Sequence, residues 1–201
     1  MMITAERPAS IDFTAARRAM IDSQLRVSGV TQDYVIAAMG QVAREDFVPA
    51  AARGHAYIDR AIPLDGGRAL PAPLVHGLLL REAAPSGDDK ALLVDCGAGY
   101  LAALLKPLVG ALTVVTPAEA ADKRGKAAYS LMVIEGAIEH VPAGLAAQLA
   151  EGGRLVTGIT ERGVTRLVQG RKVAGQLALQ PLAEIGIPVL AEFAVPRSWS
   201  F

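Results

Sequence analysis

The 201 residues carry 20 Lys and Arg against 20 Asp and Glu, so the formal net charge is zero and no global field recruits nucleic acid or an anionic membrane surface. The single cysteine, Cys96, excludes an intrachain disulfide and suits a reducing cytoplasm. No apolar run reaches the roughly 18 residues of a spanning helix, MMITAERPAS lacks the basic start and apolar stretch of a secretory signal, and the length argues for one domain over 1–201.

Phe13 to Leu25 places Ala16, Met20, Ile21 and Leu25 on one face and predicts a helix stopped at Gly29. Thr31 is placed to cap a second helix that buries Val35, Ile36 and Met39. From Phe47 to Pro73 the chain carries Pro49, Pro63, Pro71 and Pro73 with Gly66-Gly67, which predicts an irregular wrap, and Leu74 to Arg81 follows as a short helix. Residues 1–80 therefore supply helices and wrap, and 91–201 the sheet. Leu92–Val94 predicts a buried strand, Tyr100–Leu105 a helix cut short by Pro107, and Leu112–Val115 and Leu131–Ile134 further strands. Pro142–Ala150 reads as a helix with proline in its first turn and Gly152-Gly153 behind it, and Leu155–Gly158 as the next strand. Thr165–Gln169, Val173–Ala178 and Ile187–Phe193 are strand-like. Alternating strand and helix with a strand-rich end predicts an α/β fold, its sheet mainly parallel with antiparallel C-terminal strands.

The segment with a chemical signature is LLVDCGAGYLAALL, Leu92 to Leu105. An apolar strand, an acid, two glycines one residue apart and an apolar helix form a nucleotide-cradling turn, because glycine lets backbone amides approach a ligand closely. On spacing alone a tight strand-to-helix turn is an equal reading, and the absence of G-x-G-x-x-G disfavours a nicotinamide oxidoreductase.

Longer blocks carry a family resemblance. MIDSQLRVSGVTQDYVIAAMGQVAREDFVP (Met20 to Pro49), AYIDRAIPLDGGRALPAP (Ala56 to Pro73), GAGYLAALL and VIEGAIEHVPAGLAAQLAEGGRLV (Val133 to Val156) resemble the protein-L-isoaspartate O-methyltransferase family. The resemblance implies a Rossmann-like, S-adenosylmethionine-dependent methyltransferase fold and repair methylation of isoaspartyl carboxyls in proteins or peptides. Aligned on GYLAALL, Gly97 and Gly99 match the family's second and third loop glycines, while Asp95 stands at the first and brings an extra carboxylate; in the other register Asp95 is the strand-end acid. The acid that would hold the ribose is replaced by Val114 or Thr116, with Glu119 or Asp122 as possible substitutes or solvated helix residues. Two lost charged hydrogen bonds, about 1.5–3 kcal/mol each, predict weak or lost S-adenosylmethionine binding. Pro71 and Ala72 stand at the family's substrate-side serine and glutamine. Pro117 to Tyr129 leaves room for one crossover only, so one strand unit is expected to be deleted, with Leu112–Val115 an edge open to a homodimer.

The cofactor-side candidates are thus Asp95, Gly97, Gly99 and Glu135, the last at a strand end and either facing the ligand crevice or structural. Arg68 either draws a substrate carboxylate or is a solvated loop arginine, and no catalytic residue is assigned. His55, His76 and His140 show no ligand-like partners, and no metal site is expected. Cys96 is a packing residue or, at a helix start, a reactive thiol; Trp199 and Phe201 tuck against the body or a partner. Two functions stay open: a carboxyl methyltransferase with a degenerate cofactor and substrate site, or a catalytically inactive descendant that binds a ligand or a protein.

Overall fold

The computed structural model describes residues 11–122, 125–126 and 128–195. Trp199 and Phe201 lie outside the described residues, as does the amino-terminal decapeptide. Asp12 caps α1 (Phe13–Met20) by accepting the Ala15 amide at 3.0 Å; the helix widens into a π turn over Ile21–Leu25, tightens over Arg26–Ser28, and stops at Gly29 with φ 79°. The second helix, α2, spans Asp33–Gln41. Thr31 does not cap it: Gln32 takes the cap position, and its Oε1 accepts the Thr31 amide instead. Val35 and Met39 are buried as expected, and Ile36 is half-buried.

The wrap contains one small hairpin, β1 (Ile62–Pro63) on β2 (Ala69–Leu70), and leads into α3 (Pro73–Ala83) with proline at its start. A polar cluster pins the wrap to α1: Arg17 donates to the Tyr57 hydroxyl at 2.7 Å and to Glu45 at 2.9 Å, and Tyr57 donates to Glu45.

Six strands form the main sheet: β3 (Lys90–Val94), β4 (Ala111–Val115), β5 (Tyr129–Ile138), β6 (Leu149–Glu161), β7 (Val164–Val173) and β8 (Gln176–Glu184), in the order β4-β3-β5-β6-β7-β8. The first four run parallel and the last two antiparallel, as predicted. In β3 the side chains alternate between two cores: Ala91 and Leu93 face the helices α1 to α3 and α4 (Tyr100–Leu105), while Leu92 and Val94 face α5 (Pro117–Asp122), α6 (Ala143–Ala146) and the C-terminal segment. Both faces of β3 are buried, which explains its unbroken apolar run. β4 is an edge, with Val114 47% exposed, and among the described residues no strand lies beyond it.

Besides the Thr31 cap, the sequence expectations fail at three places. The helix expected over Pro142–Ala150 lasts only one turn, because Gln148 O accepts the Ala128 and Tyr129 amides and Leu149 already pairs with Tyr129. Val173–Ala178 is a hairpin rather than one strand; Ala174 and Gly175, at φ 50° and 76°, make a two-residue turn, as do Arg162 and Gly163 at 52° and 81°. Ile187–Phe193 forms a single bridge, Val189 to Ala137, then a tight turn over Ala191–Phe193.

Arg154 on β6 locks the sheet to the end of α3. Its guanidinium donates to both Asp89 oxygens at 3.0 and 2.5 Å and to the Ala83 and Ala84 carbonyls. Burial works against the Asp89 carboxylate, yet Arg154, then Ser130 and the Ser86 amide, hold its pKa down to about 2. A depressed carboxyl pKa stabilises the fold above the unfolded value near 4, and that contribution, roughly 2 kcal/mol, is lost as the pH falls toward 2. In acid titrations followed by circular dichroism, Arg154→Met is expected to cost about 3 kcal/mol at neutral pH and to flatten this acid limb.

Candidate active site

The loop after β3 leaves the sheet at the carboxyl ends of its strands, where open α/β sheets hold ligands. Gly97 and Gly99 sit at φ 104° and 78°, conformations that admit glycine readily, and Gly99 opens α4. Asp95 turns its carboxylate into the loop. Its Oδ1 accepts the Gly97 amide at 2.6 Å and the Gly99 amide at 3.1 Å. Its own amide donates to Val115 O on β4 at 2.9 Å. Oδ2 is buried and has no partner among the described residues. Burial and then the Glu135 carboxylate push the Asp95 carboxyl up, against the two glycine amides and Arg68. Arg68 reaches over the loop from the wrap: its Cζ lies 3.6 Å from where a β-carbon on Gly97 would sit.

Behind the loop runs a buried polar chain. Arg44 is fully buried and donates through Nε to Ala56 O at 2.7 Å and through Nη2 to Pro71 O at 2.6 Å; Nη1 lies 3.2 Å from His76 Nδ1. Nδ1 lies equally near the Ala72 carbonyl, at 3.2 Å, and Nε2 lies 2.6 Å from Glu135 Oε1. Burial keeps the His76 pKa down against the pull of Glu135. Glu135 Oε2 accepts the Cys96 amide at 3.0 Å and so ties β5 to the loop. The Tyr100 ring meets Phe47 and His76 edge-on at 5.5 and 5.1 Å, with the Arg44 guanidinium 5.0 Å from its centroid.

At the end of β4, Thr116 and Glu119 form a reciprocal capping box: Glu119 accepts the Thr116 amide and hydroxyl, and Thr116 Oγ1 accepts the Glu119 amide. Asp122 is exposed at the end of α5. A cavity of about 310 Å³ opens beside the loop, lined by Phe47, Asp65, Arg68, Cys96 and Gly97 among others.

The structure thus gathers Arg68, Asp95, Cys96, Gly97, Gly99 and Glu135 at one end of the sheet. Glu135 is fully buried and bonded inward. Cys96 is 1% exposed, and burial and Glu135 push its thiol up, which disfavours a free nucleophilic thiolate. Pro71 and Ala72 adjoin the cluster through backbone: Pro71 O holds Arg44, and Ala72 precedes α3. His55 and His140 are exposed. His76, with no ligand-like partner near it in sequence, meets the Ala72 carbonyl locally and Arg44 and Glu135 from 32 and 59 residues away. Arg44 and Tyr100 were not singled out as site residues, and their only sequence signal is membership of the family-like blocks.

Comparison with known proteins agrees with this architecture. The family model "Protein-L-isoaspartate(D-aspartate) O-methyltransferase (PCMT)" matches residues 15–123 and 123–190. The protein-L-isoaspartate O-methyltransferase of Roseiflexus castenholzii is 30% identical over 200 residues, covering 87% of this chain and 91% of its own. Protein-L-isoaspartate O-methyltransferase 2 of an Anaeromyxobacter species is 34% identical over 165 residues, covering 70% and 68%. A crystal structure from Plasmodium falciparum, a beta-aspartate methyltransferase in complex with S-adenosyl-L-homocysteine, superposes with a TM-score of 0.66 at 18% identity, covering 91% of this chain and all of that one, a likeness of fold. The match runs from α1 through the parallel strands and the antiparallel end, and the chain belongs to the protein-L-isoaspartate(D-aspartate) O-methyltransferase family.

Proposed function

We propose that this protein is an S-adenosylmethionine-dependent carboxyl methyltransferase by descent whose glycine loop is occupied by its own Asp95, so that the cofactor binds at about millimolar strength and methyl transfer to isoaspartyl residues falls to background. The observation that carries this reading is the Asp95 carboxylate on the Gly97 and Gly99 amides. Those amides are the donors such a loop offers an anionic ligand group. A cofactor with its own carboxylate must break both bonds and meets like charge from Asp95 and Glu135.

The neighbouring elements support the same reading. At the end of β4 the Glu119 carboxylate is engaged by Thr116. On the substrate side, the Pro71 carbonyl is taken by Arg44, and neither Pro71 nor Ala72 has a polar side chain. The residues present therefore do not fit S-adenosylmethionine as a tightly held cofactor. Arg68, beside the loop and lining its cavity, is the group placed to draw a carboxylate of a protein or peptide.

The test is transfer of labelled methyl groups to an isoaspartyl peptide at millimolar S-adenosylmethionine. Incorporation equal to a no-enzyme control is expected, both for the natural protein and for Pro71→Ser with Ala72→Gln. Robust methylation by the natural protein would refute the reading.

A further inference from the structure

Asp95, Cys96 and Glu135 each present a ligand-type atom, and these atoms lie within 4.8 Å of one another. All three residues are more than nine-tenths buried. Hydrogen bonds already fix the carboxylates from behind: Asp95 Oδ1 holds the two glycine amides, and Glu135 Oε1 holds His76, which Arg44 in turn holds. Asp95 Oδ2, by contrast, is buried with no partner among the described residues. A buried carboxylate oxygen left alone is costly unless something is gained there. Two carboxyls and a thiol crowded together repel when ionised and attract a cation.

We propose that Asp95, Cys96 and Glu135 bind a thiophilic divalent cation of the Zn²⁺ class at the head of the loop. The donor set is two carboxylate oxygens and one sulfur, and of the three residues Cys96 also lines the cavity beside the loop. Tetrahedral coordination needs ligand atoms roughly 3.5 Å apart, so from within 4.8 Å the side chains close by about 1.3 Å at most. The hydrogen bonds behind the carboxylates are of the kind that orient metal ligands. Binding forms one metal–sulfur and two metal–oxygen bonds and releases the thiol proton to solvent. Arg68, over Gly97 on the cavity side, is the charge an entering cation displaces.

The cobalt(II) complex gives the direct readout. Cys96 is the only cysteine in the chain, so a thiolate-to-cobalt charge-transfer band can arise nowhere else. One equivalent of cobalt is expected to raise that band, and zinc to abolish it. Cys96→Ala should lose the band and weaken zinc binding, measured against a chromophoric chelator, at least about tenfold. Asp95→Asn, whose amide oxygen can still accept the Gly97 and Gly99 amides, should weaken zinc binding to a similar degree without lowering the metal-free melting temperature. His140→Ala, at an exposed histidine, should change nothing. Absence of the band at millimolar cobalt, zinc affinity unchanged in Cys96→Ala, or binding lost in His140→Ala would each overturn the proposal. None of these readouts involves the methyl donor, so they stand apart from the cofactor reading.

Discussion

Arg44→Met is expected to lower the stability of the fold by about 4 kcal/mol, measured by denaturant unfolding at neutral pH. The stem can be replaced, but the planar donor set cannot. Without it the Ala56 and Pro71 carbonyls lose their partner, and His76 Nδ1 one of its two contacts, in a place where Arg44 is fully buried. Each stranded buried acceptor costs about 1–3 kcal/mol. Those acceptors belong to the wrap and to α3, so the substitution also loosens the floor of the candidate site. Arg44→Lys should recover less than half the loss, since a single ammonium cannot span three directions. Arg18→Met, at an exposed position on α1, should stay within about 0.5 kcal/mol of the natural protein. Equal costs at both positions would show that the buried web contributes little.

Asp95→Gly is expected to tighten S-adenosylhomocysteine binding about a hundredfold. Removing the side chain frees the Gly97 and Gly99 amides and takes away one of the two carboxylates at the loop. Hydrogen bonds to a charged group are worth about 1.5–3 kcal/mol each, so two of them can supply a factor of this size after the cost of ordering the ligand. The loop itself should lose about 1 kcal/mol of stability, as at a lost helix cap. Methyl transfer to an isoaspartyl peptide is still expected to stay at background. Binding a donor does not align it with an acceptor, and misplacement by about 1 Å can cost a hundredfold in rate. If Asp95→Gly binds no better than the natural protein, the end of β4 rather than the loop limits affinity.

Much of this was legible in the residues. The apolar run of β3, the glycine loop and the short helix from Leu74 follow from periodicity and turn chemistry, and the edge position of β4 from the short connection between Pro117 and Tyr129 set against the family resemblance. The boundaries that failed were set by tertiary pairing. A good helix start at Pro142 lost to the β5–β6 ladder, and Ala174-Gly175 turned a hairpin without the asparagine or aspartate that usually announces one. The site was half legible. Asp95, Gly97 and Gly99 are local, so their proximity is visible in sequence. The link from Arg44 through His76 to Glu135 joins three segments 32 and 59 residues apart, and no local pattern marks it. Nor does sequence tell which way a carboxylate turns. On the proposed reading, Asp95 facing inward onto its own loop closes the site, whereas the same residue facing outward would add a ligand group.

The central claim is that this inward carboxylate holds the loop against the cofactor. Calorimetric titration of the natural protein with S-adenosylhomocysteine tests it most directly. The expected result is no saturable binding below about millimolar ligand. A dissociation constant in the low micromolar range would contradict the account, since Asp95 would then have to release the Gly97 and Gly99 amides at almost no cost.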